Sequence, residues 1–410
     1  MAKTKGYKWV FKARFRRNAF GWKSQPAIKR IREAVSEIKK MARRDKVLAA
    51  EGAVIFLEKV SPALEHVDSS SGAIGSAVNK AIDALVEIIA SAPADQKTRE
   101  KWLERLFEAH AEDRMPYIEL LTDYWGRLCV TPELASRWAD ELLDTTRLVL
   151  NPDKESIGNF FHGTSACLSA LYTAGRHDEL VDLLKEESFW HYRRWGVKAL
   201  AALGRKDEAI SVAESSRNGW SDGNDIDRLC EEILLSSGLV DEAYSRYGLR
   251  ANRAGTYLAW FRAVVRKYPH KDSIEILNDL AASTPGEEGK WFAAAKSVKL
   301  YDEAIALANR TPGSPQTLTR AARDFEEKNP SFALEAGMAA LRWLVEGYGY
   351  DITRRDVYSA YTHTMQAAGN AGCREETFQR IRTLVSGETF GECFVTGVLG
   401  RELGLLPGSN

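Results

Sequence analysis

Almost every segment after Pro26 places apolar residues three and four apart, with breaks at Gly, Pro or Ser. That spacing puts the apolar residues on one face of an α-helix, and no period-2 run is long enough to nucleate a sheet. The pattern therefore predicts an all-α chain of helical hairpins. Helix-start signals recur along it. Thr131-Pro132-Glu133 offers an N-cap, a Pro at the first helical position and an acid in the first turn. Asn224-Asp225-Ile226-Asp227 does the same after a Trp-Ser-Asp-Gly loop, and Ser61-Pro62 is expected to separate an earlier pair of helices.

The first residues differ from the rest. Between Lys8 and Arg16 the chain alternates, with Trp9, Phe11, Ala13 and Phe15 on one side and Lys8, Val10, Lys12, Arg14 and Arg16 on the other. Alternation of this kind predicts an extended segment with one apolar and one cationic face. Asn18 to Trp22 reads as a turn, and Ser24 and Pro26 open a helix expected to run to about Arg44. Ile28, Ile31, Val35, Ile38 and Ala42 form its apolar stripe. Lys29, Arg32, Lys39, Lys40 and Arg43 lie opposite, relieved by Glu33 and Glu37.

A longer period emerges in the second half. GRHDEL at 175–180, GRKDEA at 204–209, GLVDEA at 238–243 and KLYDEA at 299–304 share a turn residue, two spacers and Asp-Glu, and HKDSIEI at 270–276 fills the gap. The acids Asp178, Asp207, Asp241, Asp272 and Asp302 are separated by 29, 34, 31 and 30 residues, the repeat length of a helical hairpin stacked on its neighbours. NPSFALEAG near Ser331 and GCREETF near Glu375 read as degenerate continuations. Each Gly suits a left-handed turn that ends one helix, and each Asp-Glu pair suits the positive end of the next. Trp195, Trp260 and Trp291 precede the acids by eleven or twelve residues and are spaced to wedge between hairpins.

At these residues the chain resembles the tetratricopeptide-repeat family and its degenerate bacterial relatives, over roughly residues 161 to 386. The first-helix Trp-Leu-Gly-Tyr positions of that family are not kept. The resemblance implies a right-handed superhelix of stacked hairpins, a TPR-like α-solenoid, that offers its surface to a macromolecular partner. A fainter likeness, carried by LEHVDSSSGAIGSAVNKAIDALVEII at 64–89, is to uncharacterised bacterial helical proteins, some with SWIM-type zinc fingers. The Cys-x-Cys and Cys-x-His pairs of that finger are missing, so no metal is implied. The organisation expected is a basic aromatic arm and capping helix at 1–46, irregular hairpins at 47–160, repeats at 161–386 and a tail at 387–410.

Composition changes this picture in one respect. The 410 residues carry 57 basic and 57 acidic side chains, yet residues 1 to 46 hold sixteen Lys or Arg against three acids, a surplus of thirteen positive charges. The remainder is acidic by the same amount, and such segregation points to a partner or to self-association between arm and body. No window approaches a membrane span, and no apolar segment follows the basic start as in a secretory signal. Five scattered cysteines, none at zinc or redox spacing, suit a reducing cytoplasm.

Candidate chemistry is sparse. The seven histidines never fall at HExxH spacing, and no catalytic, cofactor or metal residue is assigned. His162 to Cys167 reads as a helix start, Ser69 to Gly75 as the opening of a helix, and Asp222 to Asp227 fails as a calcium loop because Ile226 stands where an oxygen ligand is needed. Two surfaces remain as binding candidates. The first is the arm, with Lys8, Trp9, Lys12, Arg14, Arg16, Arg17, Trp22, Lys23, Lys29, Arg32, Lys39 and Arg43. It reads either as a structural cap on the first hairpin or as a sequence-independent grip on nucleic-acid phosphates. The second comprises Trp190, His191, Tyr192, Arg193 and Arg194 with Tyr350, Arg354, Tyr358 and Tyr361. These read as partner anchors on a concave surface or as repeat core, with Asp351 or Thr353 capping the helix of Tyr358 and Tyr361. The function expected is a scaffold or adaptor for a protein partner, with nucleic-acid binding as the alternative and an enzyme site assembled from distant helices as the third reading.

Overall fold

The computed structural model describes residues 7–150, 160–218 and 223–406. The first six residues of the arm, the last four of the tail, and Trp220 to Asp222 of the predicted loop lie outside the described residues. Among the described residues every regular element is helical. The chain divides into two compact units, residues 1–223 and 224–410. No helix among the described residues is long and apolar enough to cross a membrane.

In the first unit the sequence-predicted extended segment is a short helix, α1, Val10–Arg14. The apolar positions that suggested period two, Phe11 and Phe15, are also one helical turn apart, and both are buried. Ala13, expected on their side, is exposed. Trp9, extended just before α1, is buried too. The helix α2 spans Ser24–Ala42, and α3, Lys46–Leu64, follows an Asp45 N-cap whose carboxylate accepts the Leu48 N–H at 2.9 Å. Apolar on nearly all sides, α3 is the centre of the unit and touches α1, α2, α4 (Ala73–Ala90) and α5 (Gln96–Ala111). Ser61-Pro62 does not separate two helices as the sequence suggested. Pro62 sits inside the last turn of α3, where its carbonyl accepts the Asn18 N–H at 3.0 Å and ties down the arm.

Polar side chains fix how α5 meets its neighbours. Arg105 reaches Glu58 with two N–H groups and Glu51 with a third, all at 2.7 Å, and the Trp102 indole donates to Glu51. Buried Arg99 donates to the carbonyls of Ile89 and Ala92, so a cation closes the C-terminal end of α4. Further on, Thr131 caps the helix Pro132–Leu150 as its sequence predicts.

The repeated turns share one geometry. Gly175, Gly204 and Gly238 lie at φ 74°, 79° and 75°, and Lys299 takes the same role at φ 65°. In each case the following amide bonds five residues back: Arg176 to Leu171, Arg205 to Leu200, Leu239 to Leu234 and Leu300 to Ala295, at 2.9–3.1 Å. Gly372, with Cys373 bonded to Ala368, repeats the arrangement in the last of these hairpins. The Asp-Glu pairs then occupy the first turns of the next helices. In the two GR turns the Arg also pairs with the Glu three residues on. Asp272 differs: it is itself the N-cap of its helix and accepts the Ile274 N–H. The tryptophans pack between hairpins, Trp195 against Tyr172 in the first unit and Trp260 against Trp291 in the second, with ring centres 5.8 and 5.3 Å apart.

Candidate binding groove

The arm's side chains divide by chemistry. Phe11 and Phe15 meet the Phe56 ring of α3 edge-on, at 5.8 and 5.1 Å, and the Trp9 indole covers Gly52. Trp9 is therefore core and offers no face to a base. Trp22 is 71% exposed, while Lys8, Lys12, Arg14, Arg16, Arg17 and Lys23 point outward. Arg14 pairs with Glu33 at 2.8 Å, and Arg17 lies 3.7 Å from Glu65.

The two acids of α2 hold this arrangement. Glu37 accepts the Val10 and Phe11 N–H groups at 2.9 and 3.2 Å, which satisfies amides at the start of α1 that have no partner within that helix. Glu33 receives Arg30 and Arg14, and chiefly Arg30 holds its carboxyl pKa below the ordinary glutamate value. Both acids are thus committed to the arm side of α2.

The other side of α2 keeps its cations uncompensated. Along the α2–α4 seam runs a groove of about 650 Å³. Half-buried Val35 from α2 and half-buried Ala73 and Ala77 from α4 make its floor, over buried Ile28, Ile31 and Ala81. The alanines stop at Cβ and recur every fourth residue, so they leave a lengthwise depression. Arg32, Lys39, Lys40 and Arg43 of α2 and Lys80 of α4 rim it, and no carboxylate lines it. None of these five forms an ion pair among the described residues. The sequence pattern sets Arg32, Lys39, Lys40 and Arg43 opposite the isoleucine stripe; instead they border the groove that this stripe lines, and Lys29 lies exposed on the same helix. Lys80 and the alanine stripe were missed, although Ala-x-x-x-Ala-x-x-x-Ala at 73–81 is a readable signal for close approach along a helix.

The second candidate surface is divided between half-buried residues near Trp190 and exposed Tyr350, Arg354 and Tyr358. Trp190 is buried, and Tyr192 and Arg193 are half-buried. Arg194 donates to Asp123 at 2.5 Å and Arg193 to the Glu187 carbonyl at 3.1 Å. His191 Nε2 lies 3.2 Å from Ser165 Oγ and 3.5 Å from Asp123 Oδ1. Hydrolytic relay needs the carboxylate and the hydroxyl on opposite ring nitrogens, so this trio is not arranged as a triad. In the second unit Tyr350 is 85% exposed, Arg354 is exposed, Tyr358 donates to the Val398 carbonyl at 3.1 Å, and Tyr361 is half-buried. Thr353, not Asp351, caps their helix, in a reciprocal box with Asp356.

A polar depression of about 540 Å³ includes Arg17, Ser61, Glu65, Asp113, Arg114 and His162. Ser61 donates to one oxygen of Asp113 and the Ile118 N–H to the other, so the carboxylate braces the 113–118 turn against α3. Burial raises its pKa above the ordinary aspartate value. Burial likewise pushes the thiols of Cys129 and Cys167 up to about 12 and about 11, which keeps them protonated and unreactive near neutrality. Among the described residues no three His, Cys, Asp or Glu side chains gather as metal ligands.

The chain matches no protein-family model, no curated protein and no solved structure. Its helical fold and its groove are therefore read from its own residues.

Proposed function

We propose that the protein is a scaffold or adaptor, a degenerate TPR-like superhelix that binds a protein partner, with the α2–α4 groove as the docking surface. One observation carries this reading: an apolar floor and a rim of five cations with no acid lie together along the α2–α4 seam, and the acids of α2 face the arm. Helical-hairpin arrays commonly serve as binding surfaces, which supports the reading by analogy of fold alone. The repeated turns of both units supply that analogy.

Nucleic-acid binding is the second reading, favoured by exposed Trp22 beside the outward-pointing Lys8, Lys12, Arg16 and Lys23. Phosphates use cations alone, however, and leave the apolar floor of the groove unfilled.

A photo-crosslinking residue placed at exposed Ser36, which lines the groove, tests the adaptor reading in the full chain. The expected product is a crosslinked polypeptide that copurifies with the protein. Nuclease-sensitive crosslinks, with affinity falling roughly a thousandfold between 50 and 200 mM salt, would establish the nucleic-acid reading instead.

A further inference from the structure

Resting on the groove as docking surface, we infer that its occupant is an amphipathic α-helix of a partner protein, with Asp and Glu flanking its apolar stripe. The walls dictate the secondary structure. Both α2 and α4 spend their backbone N–H and C=O groups internally, so the groove presents no strand edge. An occupant that covers the apolar floor must satisfy its own backbone, and a helix laid lengthwise does so. Length agrees with this. From Ala73 to Ala81 the floor rises about 12 Å at 1.5 Å per residue, roughly two turns of an occupying helix.

Charge selects the flanks. Arg32, Lys39, Arg43 and Lys80 bracket the floor without a carboxylate among the lining residues. The acids that would quench them on α2 are turned to the arm, where Glu37 holds α1 and Glu33 holds Arg14. A partner helix with acids on both edges of its stripe supplies the missing charge, and its apolar residues cover half-buried Val35. A nucleic-acid backbone meets the cations and leaves half-buried Val35, Ala73 and Ala77 wet.

The test uses the full chain and two displayed libraries of 18-residue peptides. One fixes Asp and Glu beside a helical stripe varied over Leu, Ile, Val, Phe and Met. The other has the same composition in an order that breaks the stripe. Binders are expected from the first library only. Their affinity should fall at least tenfold with Lys39→Gln/Arg43→Gln, exposed changes whose unfolding midpoint is measured alongside, and at least tenfold with Val35→Asp. Equal enrichment from both libraries, binders indifferent to these variants, or displacement by a single-stranded oligonucleotide at equal charge overturns the inference. So does a dimer of the protein that these same variants dissociate, because the occupant is then a second copy. Polypeptide crosslinks at Ser36 without any library binder overturn the helix occupant and leave the adaptor reading standing; loss of both overturns the two together.

Discussion

Val10 and Glu37 are joined across 27 residues of sequence by a 2.9 Å hydrogen bond from backbone amide to carboxylate. The bond does two jobs. It satisfies a helix-start amide that a five-residue helix cannot pair internally, and it holds the Glu37 carboxylate on the arm side of α2. The arm's order and the groove's positive potential thus share one residue.

Glu37→Ala should release α1. Two amides lose a charged acceptor at a partly exposed site, a loss of about 1–2 kcal/mol. Urea unfolding measures the total, and hydrogen exchange should show protection lost selectively over residues 10–16. Unchanged exchange there would sink the capping role.

Gly52→Ala should destabilise by about 1–3 kcal/mol, because its new methyl runs into the Trp9 indole in a filled core. In a Trp9→Ala background the same change should become neutral or gain about 0.5–1 kcal/mol from helix propensity. A double-mutant cycle reads the difference, and additivity of the two changes would contradict the contact.

At the repeat turns Lys299 carries a left-handed conformation that its side chain opposes, at about 1–2 kcal/mol. Lys299→Gly should therefore stabilise the chain by about 0.5–1 kcal/mol after the extra freedom of the unfolded glycine is offset. Gly204→Ala, at φ 79°, should do the reverse. Thermal melts of the two variants should move in opposite directions.

His110 sets a pH slope. Burial lowers its pKa below the ordinary 6.5, with the neighbouring His162 carbonyl and Asp113 opposing that shift. The folded chain then binds fewer protons than the unfolded one, so stability is lost as pH falls below about 6.5 and the loss is complete below the folded value. Asp113, raised by burial, gives the opposite slope at lower pH. Denaturation from pH 8 to pH 5 should show a flatter profile for His110→Gln than for the parent, and an identical slope would remove His110 as its source.

Much of the helical layout was legible because its signals are local. A glycine followed by Asp-Glu specifies a left-handed turn and a dipole-matched helix start within six residues, and Gly175, Gly204 and Gly238 do as read. The start of the chain misled for the same physical reason. Phe11 and Phe15 satisfy period two and one helical turn equally well, and a five-residue element is too short for periodicity to choose. Packing of Phe11 and Phe15 on Phe56 accompanies the helical solution. The cationic face of α2 was half of the groove. Its other half, Lys80 and the alanines, comes from a helix more than thirty residues away.

By itself, then, the sequence determined an all-helical chain, the places where hairpins turn, and a strongly basic beginning. These follow from propensity, capping and composition, which act over a few residues at a time. Tertiary structure alone decided that the arm's aromatics become core, that Glu33 and Glu37 face the arm, and that the bare cations of α2 border an alanine-floored groove. Those outcomes depend on which helices lie side by side, and contacts between distant segments leave no periodic trace in either one.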